Sequence, residues 1–216
     1  MSNLKLGVMI SGRGSNLQAL IDACADPGFP AEIVVVISNK ADAYGLERAR
    51  MAGIKAVSFS QKKHSSKEAY EQSIDAELRD MGVELVCLAG YMRILGSDFV
   101  KGWIDHMINI HPSLLPAYKG LNTHKRALED GCRFTGCTVH YVVPDLDSGP
   151  IISQAAIPIS MDDTNETLAD KVLPYEHKLY PYAVKLIAEK RINLINNVVH
   201  IKGYEDPING VINPAV

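Results

Sequence analysis

The chain has 216 residues, of which 47% are hydrophobic and 22% charged, and its formal net charge is -3. That length suits one domain, residues 1–216, with ample material for a core. The small negative charge gives no bulk attraction to nucleic acid or to an anionic membrane, so neither is expected as a partner, while a local phosphate site stays open.

The four cysteines, Cys24, Cys87, Cys132 and Cys137, lie far apart or in apolar runs. Only Cys132 and Cys137 are close, with no His or Cys at zinc-ligand spacing, so they read as reduced thiols and no metal is expected. Met1 to Ile10 holds one short apolar run without a basic region before it or a small-residue cleavage site after it. No run approaches the ~20 apolar residues of a membrane span. A cytoplasmic protein is expected.

Leu4–Ile10 predicts a buried first strand. It runs into Ser11-Gly12-Arg13-Gly14-Ser15-Asn16, and Leu17, Leu20, Ile21 and Cys24 then come at helical spacing. Strand, glycine-rich turn, helix is the arrangement that cradles phosphate, because glycine admits close backbone approach and a helix N-terminus offers unpaired N–H groups. A plain capped turn is the competing reading. The motif is a poor dinucleotide fingerprint, because its third glycine position falls on Leu17.

Ile33–Ile37 predicts a second strand, ending in Ser38-Asn39-Lys40 with no acid to hold a ribose. Both features disfavour a nicotinamide oxidoreductase. A short helix over Gly45–Met51 and a strand over Lys55–Phe59 come next. Ser65 and Glu68 form a capping box for a polar helix reaching about Met81. Lys67 in its first turn, taken alone, is a solvated helix residue. Glu84–Ala89 predicts the fourth strand. The loop after it, Gly90-Tyr91-Met92-Arg93-Ile94-Leu95, is apolar enough either to line a pocket for a flat organic group or to pack beneath a helix.

Ser97–Trp103 predicts a short helix and Met107–Ile110 the fifth strand. Asn109 and His111 are two residues apart, so on a strand they face the same way. Pro112 holds His111 extended. An amide donor and a titratable imidazole thus meet at a strand end, where open α/β sheets bind ligands; a satisfied polar pair is the competing reading. A long loop rich in proline comes after it. Thr123 caps a helix to Glu129. Thr138–Val143 and Ile151–Pro158 predict antiparallel neighbours across a turn-rich loop carrying Asp145 and Asp147. His140, in mid-strand, reads as structural. Asp163 and Glu166 form a capping box for a helix from about Asn165 to Lys190, which Pro174 and Pro181 should kink or split. Short strands and turns close the chain.

Alternation of strands and helices predicts a Rossmann-like α/β fold: a mostly parallel twisted sheet, helices on both faces and an antiparallel extension. Asn109, His111 and Asp147 make a plausible catalytic trio, with an oxyanion donor, a titratable base and a carboxylate to orient it. No Ser or Cys is marked as a nucleophile, which suits transfer to a nucleophile supplied by a substrate.

Ser11-Gly12-Arg13-Gly14-Ser15-Asn16-Leu17-Gln18, the segments 88–95 and 109–116, and Asp145-Leu146-Asp147-Ser148-Gly149-Pro150 resemble, in order and spacing, the motifs of the folate-dependent formyltransferases. Within them they resemble the group that formylates glycinamide ribonucleotide in purine biosynthesis. The resemblance covers about residues 4–195. It implies 10-formyltetrahydrofolate as co-substrate and no metal. It implies catalysis by Asn109, His111 and Asp147, phosphate binding at Gly14, Ser15 and Asn16, and ribose binding by Glu176. It places the folate between Met92, Arg93, Ile94 and Leu95 on one side and Val143 to Asp147, Asp145 included, on the other, with Asn109 beside it. Lys67 stands where the family often has Arg, near the folate's formyl or glutamate side. A monomer or homodimer is expected. Three alternatives stay open. A methionyl-tRNA formyltransferase would need about 100 more residues for a further domain and a basic face. A formyltetrahydrofolate hydrolase would need a regulatory domain before Leu4. A non-catalytic nucleotide-binding module would not turn over substrate.

Overall fold

The computed structural model describes residues 3–205 together with Asn213. Its centre is a seven-stranded sheet in the order β3-β2-β1-β4-β5-β6-β7. The strands are β1 (Leu4–Ile10), β2 (Ala31–Ser38), β3 (Lys55–Ser58), β4 (Leu85–Leu88), β5 (Met107–His111), β6 (Phe134–Tyr141) and β7 (Ile151–Pro158). β1 to β5 pair in parallel. β6 is antiparallel to both β5 and β7; for β7 this is what the short connecting loop favours. The expected α/β architecture with an antiparallel extension is what forms.

Burial on both faces explains why β1 and β2 read as unbroken apolar runs. On one face, Leu6, Val8, Ile10, Ile108 and Ile110 pack with α1 (Ser15–Cys24), α2 (Tyr44–Met51) and α6 (Asn165–Ala188). On the other, Met9, Val35, Ile37, Val86 and Met107 pack with α3 (Lys67–Asp80) and α4 (Ser97–Gly102). Strand alternation therefore turns Asn109 and His111 toward the side of α3 and α4. α5 (Thr123–Glu129) joins α6 in a small satellite cluster around Ala127, Ile159 and Leu168. Beyond α6 a hairpin forms from β8 (Ile192–Ile195) and β9 (Val198–Ile201). The expected tail beyond Glu205 lies outside the described residues, except at Asn213.

Several local readings need correction. Ser66, not Ser65, caps α3, accepting from Ala69 N at 3.1 Å. The capping box of α6 is Thr164 with Thr167, not Asp163 with Glu166. Asn122, in the left-handed region at φ 57°, precedes α5 without a side-chain cap, and Thr123 is already helical. β6 begins at Phe134, four residues before Thr138. Pro174 and Pro181 do not split α6, which runs unbroken for 24 residues. An internal proline costs ~3 kcal/mol or more. Burial on the sheet of Val172, Tyr180, Val184 and Leu186, at ~1.5–3 kcal/mol for a full large side chain, offsets it.

Candidate active site

The parallel strands end together on one edge of the sheet, and the order around β1 reverses there. Helices leave β1 toward β2 on one side, and β4 pairs on the other. Such a switch point opens a crevice. The glycine-rich turn sits in it. Gly14 takes φ 71°, a left-handed conformation natural to glycine, and α1 starts at the next residue. The first helical bond runs from Gln18 N to Gly14 O at 3.0 Å, which leaves the N–H groups of Ser15, Asn16 and Leu17 outside the helical ladder. The turn is held from behind. Gly45 N donates to Gly12 O at 3.0 Å and Arg48 Nε to Arg13 O at 2.9 Å.

Asn16 joins this turn to α6. Its Nδ2 donates to Glu176 Oε2 at 2.7 Å, both residues are buried, and Asn16 Oδ1 has no partner among the described residues. Burial pushes the Glu176 carboxyl above its ordinary value, against the Asn16 amide, which favours the charged form. Gly14, Ser15, Asn16 and Glu176 thus come together from positions 160 residues apart.

Two strands away, about 10 Å by strand spacing, Asn109 and His111 face a cleft of about 640 Å³. The apolar loop Tyr91–Leu95, the segment Gly120–His124 and Val142–Asp147 line it, apart from Asp145. His111 is 5% exposed. Its Nε2 lies 2.9 Å from Tyr118 O, a pure acceptor, so Nε2 carries hydrogen. Its Nδ1 lies 3.5 Å from Asp147 Oδ2. Asp147, at φ 47°, also accepts from Gly120 N at 2.8 Å. A non-glycine residue in this region is uncommon, and Asp tolerates it better than most.

His140 belongs to this cluster rather than to the structural core that its mid-strand position suggests. It lies directly opposite Asn109 in the β5–β6 ladder. Asn109 Nδ2 and His140 Nε2 are 3.2 Å apart, and an amide NH₂ can only donate, so Nε2 accepts. His140 Nδ1 then carries the hydrogen and donates to Tyr141 O at 2.8 Å. Burial holds His140 below its ordinary value, in the neutral form that this arrangement requires. The lone pair of His140 therefore fixes which end of the Asn109 amide is NH₂ and leaves its second N–H for the cleft. Nothing in local sequence marks this role; the ladder register reveals it.

Met92, Arg93, Ile94, Leu95, Asn109, Val143, His111 and Asp147 all line the cleft. Lys67 and Asp145 do not. Lys67 Nζ lies 3.7 Å from Glu71 Oε1, and Asp145 is exposed. Among the described residues no group of three or more His, Cys, Asp or Glu is placed to hold a metal.

An amide and an imidazole on one strand end, a carboxylate behind the imidazole, and a helix N-terminus open to an anion describe a group-transfer site. The chain belongs to the formyl transferase family, whose profile matches residues 4–184. Within that family it groups with the phosphoribosylglycinamide formyltransferases. It is similar to the phosphoribosylglycinamide formyltransferase of Haemophilus influenzae, 43% identical over 97% of this chain and 99% of that one. The structure is similar to that of glycinamide ribonucleotide transformylase 1 from Symbiobacterium toebii, with a TM-score of 0.90 and 45% identity, over 93% of this chain and 94% of that one. It also matches the trifunctional purine biosynthetic protein adenosine-3 of Bos taurus at 47% identity over 89% of this chain, although it spans only 19% of that protein's length.

Proposed function

We propose that the chain transfers the formyl group of 10-formyltetrahydrofolate to the amine of glycinamide ribonucleotide, giving formylglycinamide ribonucleotide and tetrahydrofolate in purine biosynthesis. The observation that carries this reading is the Asn109–His111–Asp147 cluster, set two strands from an open helix N-terminus in a chain so similar to an enzyme of that name. The phosphate takes the N–H groups of Ser15 and Asn16 beside Gly14, and the ribose hydroxyls take Glu176. The folate lies in the cleft, against the main chain of Met92–Leu95 and of the 143–147 loop.

The neutral amine attacks the formyl carbon. The carbonyl oxygen gains charge as the carbon becomes tetrahedral. The free N–H of Asn109 donates to that oxyanion, and His111 joins it by exchanging Tyr118 O for the oxyanion at Nε2–H; such a donor typically contributes ~3–4 kcal/mol. Asp147 holds His111 and helps carry the amine proton to the departing folate nitrogen. The tetrahedral intermediate collapses, breaking the bond from carbon to folate nitrogen. Neither Lys67 nor Asp145 lines the cleft; we assign the Lys67 cation to the folate's formyl or glutamate side, and Asp145 to the pterin-side loop, which acts through its main chain. The four free thiols support a cytoplasmic enzyme, working as a monomer or a homodimer, which gel filtration distinguishes.

Spectrophotometric release of the deformylated folate, with and without glycinamide ribonucleotide, tests the assignment. Release only with the ribonucleotide is expected. Release without it would make the chain a formyltetrahydrofolate hydrolase, and no release from folded protein would remove the proposed reaction.

A further inference from the structure

Asn39 stands at the end of β2, where a dinucleotide enzyme carries the acid for a ribose. Here its side chain does something else. Asn39 Oδ1 accepts from Ser11 Oγ at 2.6 Å, and Ser11 Oγ in turn accepts from the main-chain N–H of Met92 at 2.7 Å. Ser11 comes directly after β1, Asn39 after β2 and Met92 a few residues after β4, so one hydroxyl ties the ends of three adjacent strands.

We propose that Ser11 is a positioning residue for the folate: its hydroxyl, oriented by Asn39, clamps the main chain of the cleft-lining loop at Met92. This rests on the reading of that loop as the folate site. A hydroxyl has a single hydrogen. Asn39 Oδ1 takes it, which points the oxygen lone pairs at Met92 N–H. Ser11 is only 4% exposed, so water cannot readily replace it. The loop has little else to hold it there. Met92 and Ile94 are 66% and 73% exposed, so their side chains contribute little packing. Gly90, at φ 74°, brings the chain in through a turn that leaves the direction of Tyr91 and Met92 open. The remaining tethers hold other residues of the loop: Arg93 donates through its side chain to Gln61, ahead of α3, and two more come from α3 itself. Tyr70 and Tyr91 share a hydrogen bond of 2.8 Å between their hydroxyls, and Gly96 N donates to Glu71 Oε1 at 2.8 Å. Met92 is the point at which the loop is held to the sheet. Although Ser11 opens the phosphate turn in sequence, its hydroxyl is turned to the folate side.

Steady-state kinetics of the wild type and of Ser11→Ala, Asn39→Ala, Asn39→Asp and the double alanine variant test this, with hydrogen exchange at the Met92 amide as a readout independent of turnover. Ser11→Ala should raise KM for 10-formyltetrahydrofolate about tenfold, the equivalent of ~1.4 kcal/mol. It should leave kcat and KM for the ribonucleotide within about twofold, as loss of ground-state positioning requires. Asn39→Ala should move folate KM the same way by less, Asn39→Asp should keep the acceptor and match wild type, and the double variant should equal Ser11→Ala alone. Met92 should exchange faster in Ser11→Ala. An unchanged folate KM, an equal rise in both KM values, or effects that multiply in the double variant would overturn the proposal. If Ser11→Ala does not fold, the contrast between Asn39→Ala and Asn39→Asp decides it by the same KM. If the wild type shows no turnover, the assigned reaction fails, and exchange at Met92 still tests the clamp: a rate unaltered by either alanine sinks it.

Discussion

Asp147 makes three contacts at once: it accepts from Gly120 N and approaches His111 and His140 at 3.5 and 3.8 Å. Asp147→Asn keeps the size but places an NH₂ or a neutral oxygen where His111 Nδ1 meets a carboxylate. Turnover should fall ~10²–10⁴-fold, the typical contribution of a positioned proton-transfer group. Binding of the ribonucleotide, whose phosphate turn lies two strands away, should change by less than about twofold in a calorimetric titration. Turnover near wild type would take Asp147 out of the mechanism. Asn109 and His111 are legible in the sequence because strand periodicity is a local property, and two residues apart means one face. His140 is not, because its partner is chosen by the register of β5 on β6, and register emerges only when the sheet assembles. Lys67 and Asp145 show the converse: a motif position says which element a residue is on, not whether its side chain reaches the cleft.

α6 brings Glu176 to the phosphate turn and, one turn later, Tyr180 into the core. The Tyr180 hydroxyl lies 3.0 Å from Leu88 O and 3.3 Å from Ile108 O, tying β4 to β5 beside Asn109. Tyr180→Phe leaves buried carbonyls short of a donor and should cost ~1–3 kcal/mol in denaturant unfolding; no loss would show the bond to be idle. α2 plays the equivalent part for the glycine-rich turn. A methyl at Gly45 would run into Ile10 and crowd Gly12 and Gly14. Gly45→Ala should therefore lose ~1–3 kcal/mol of stability as an overpacked site and raise KM for the ribonucleotide, leaving folate KM alone. Equal KM values in variant and wild type would show that the turn does not depend on this packing. The elements themselves are largely legible, since runs such as Leu4–Ile10 and Ile151–Pro158 are the strands observed. Their ends are less so. Ser65, with Glu68 three residues on, is the stronger local signal, and only the chain's path selects Ser66 as the cap. The prolines of α6 mislead because propensity is weak against a stripe of residues buried on a sheet.

The whole molecule also has a predictable response to acid. Burial holds His140, His124 and His177 below the ordinary value of 6.5. Between that value and their lower folded values the unfolded chain binds more protons, so stability must rise with pH there and fall on acidification. Glu176 acts oppositely, because its raised folded value makes the native state the better proton binder above 4.5. With three groups against one, the thermal midpoint should drop as pH is lowered from about 7.5 through the histidine range. The drop should be shallower in His140→Gln, and a flat profile would refute the burial argument. The cleft has a further consequence for the order of events. Among the described residues its lining contains no serine or cysteine; burial keeps the Cys137 thiol protonated, with its value pushed up to about 12. Under the proposed reaction the formyl group should therefore pass directly from donor to acceptor, without a stop on a serine or cysteine. Both molecules must be aboard together, and reciprocal plots of velocity at several fixed levels of the second substrate should converge. Parallel lines, the mark of a ping-pong cycle, would reveal a formylated side chain where none is expected.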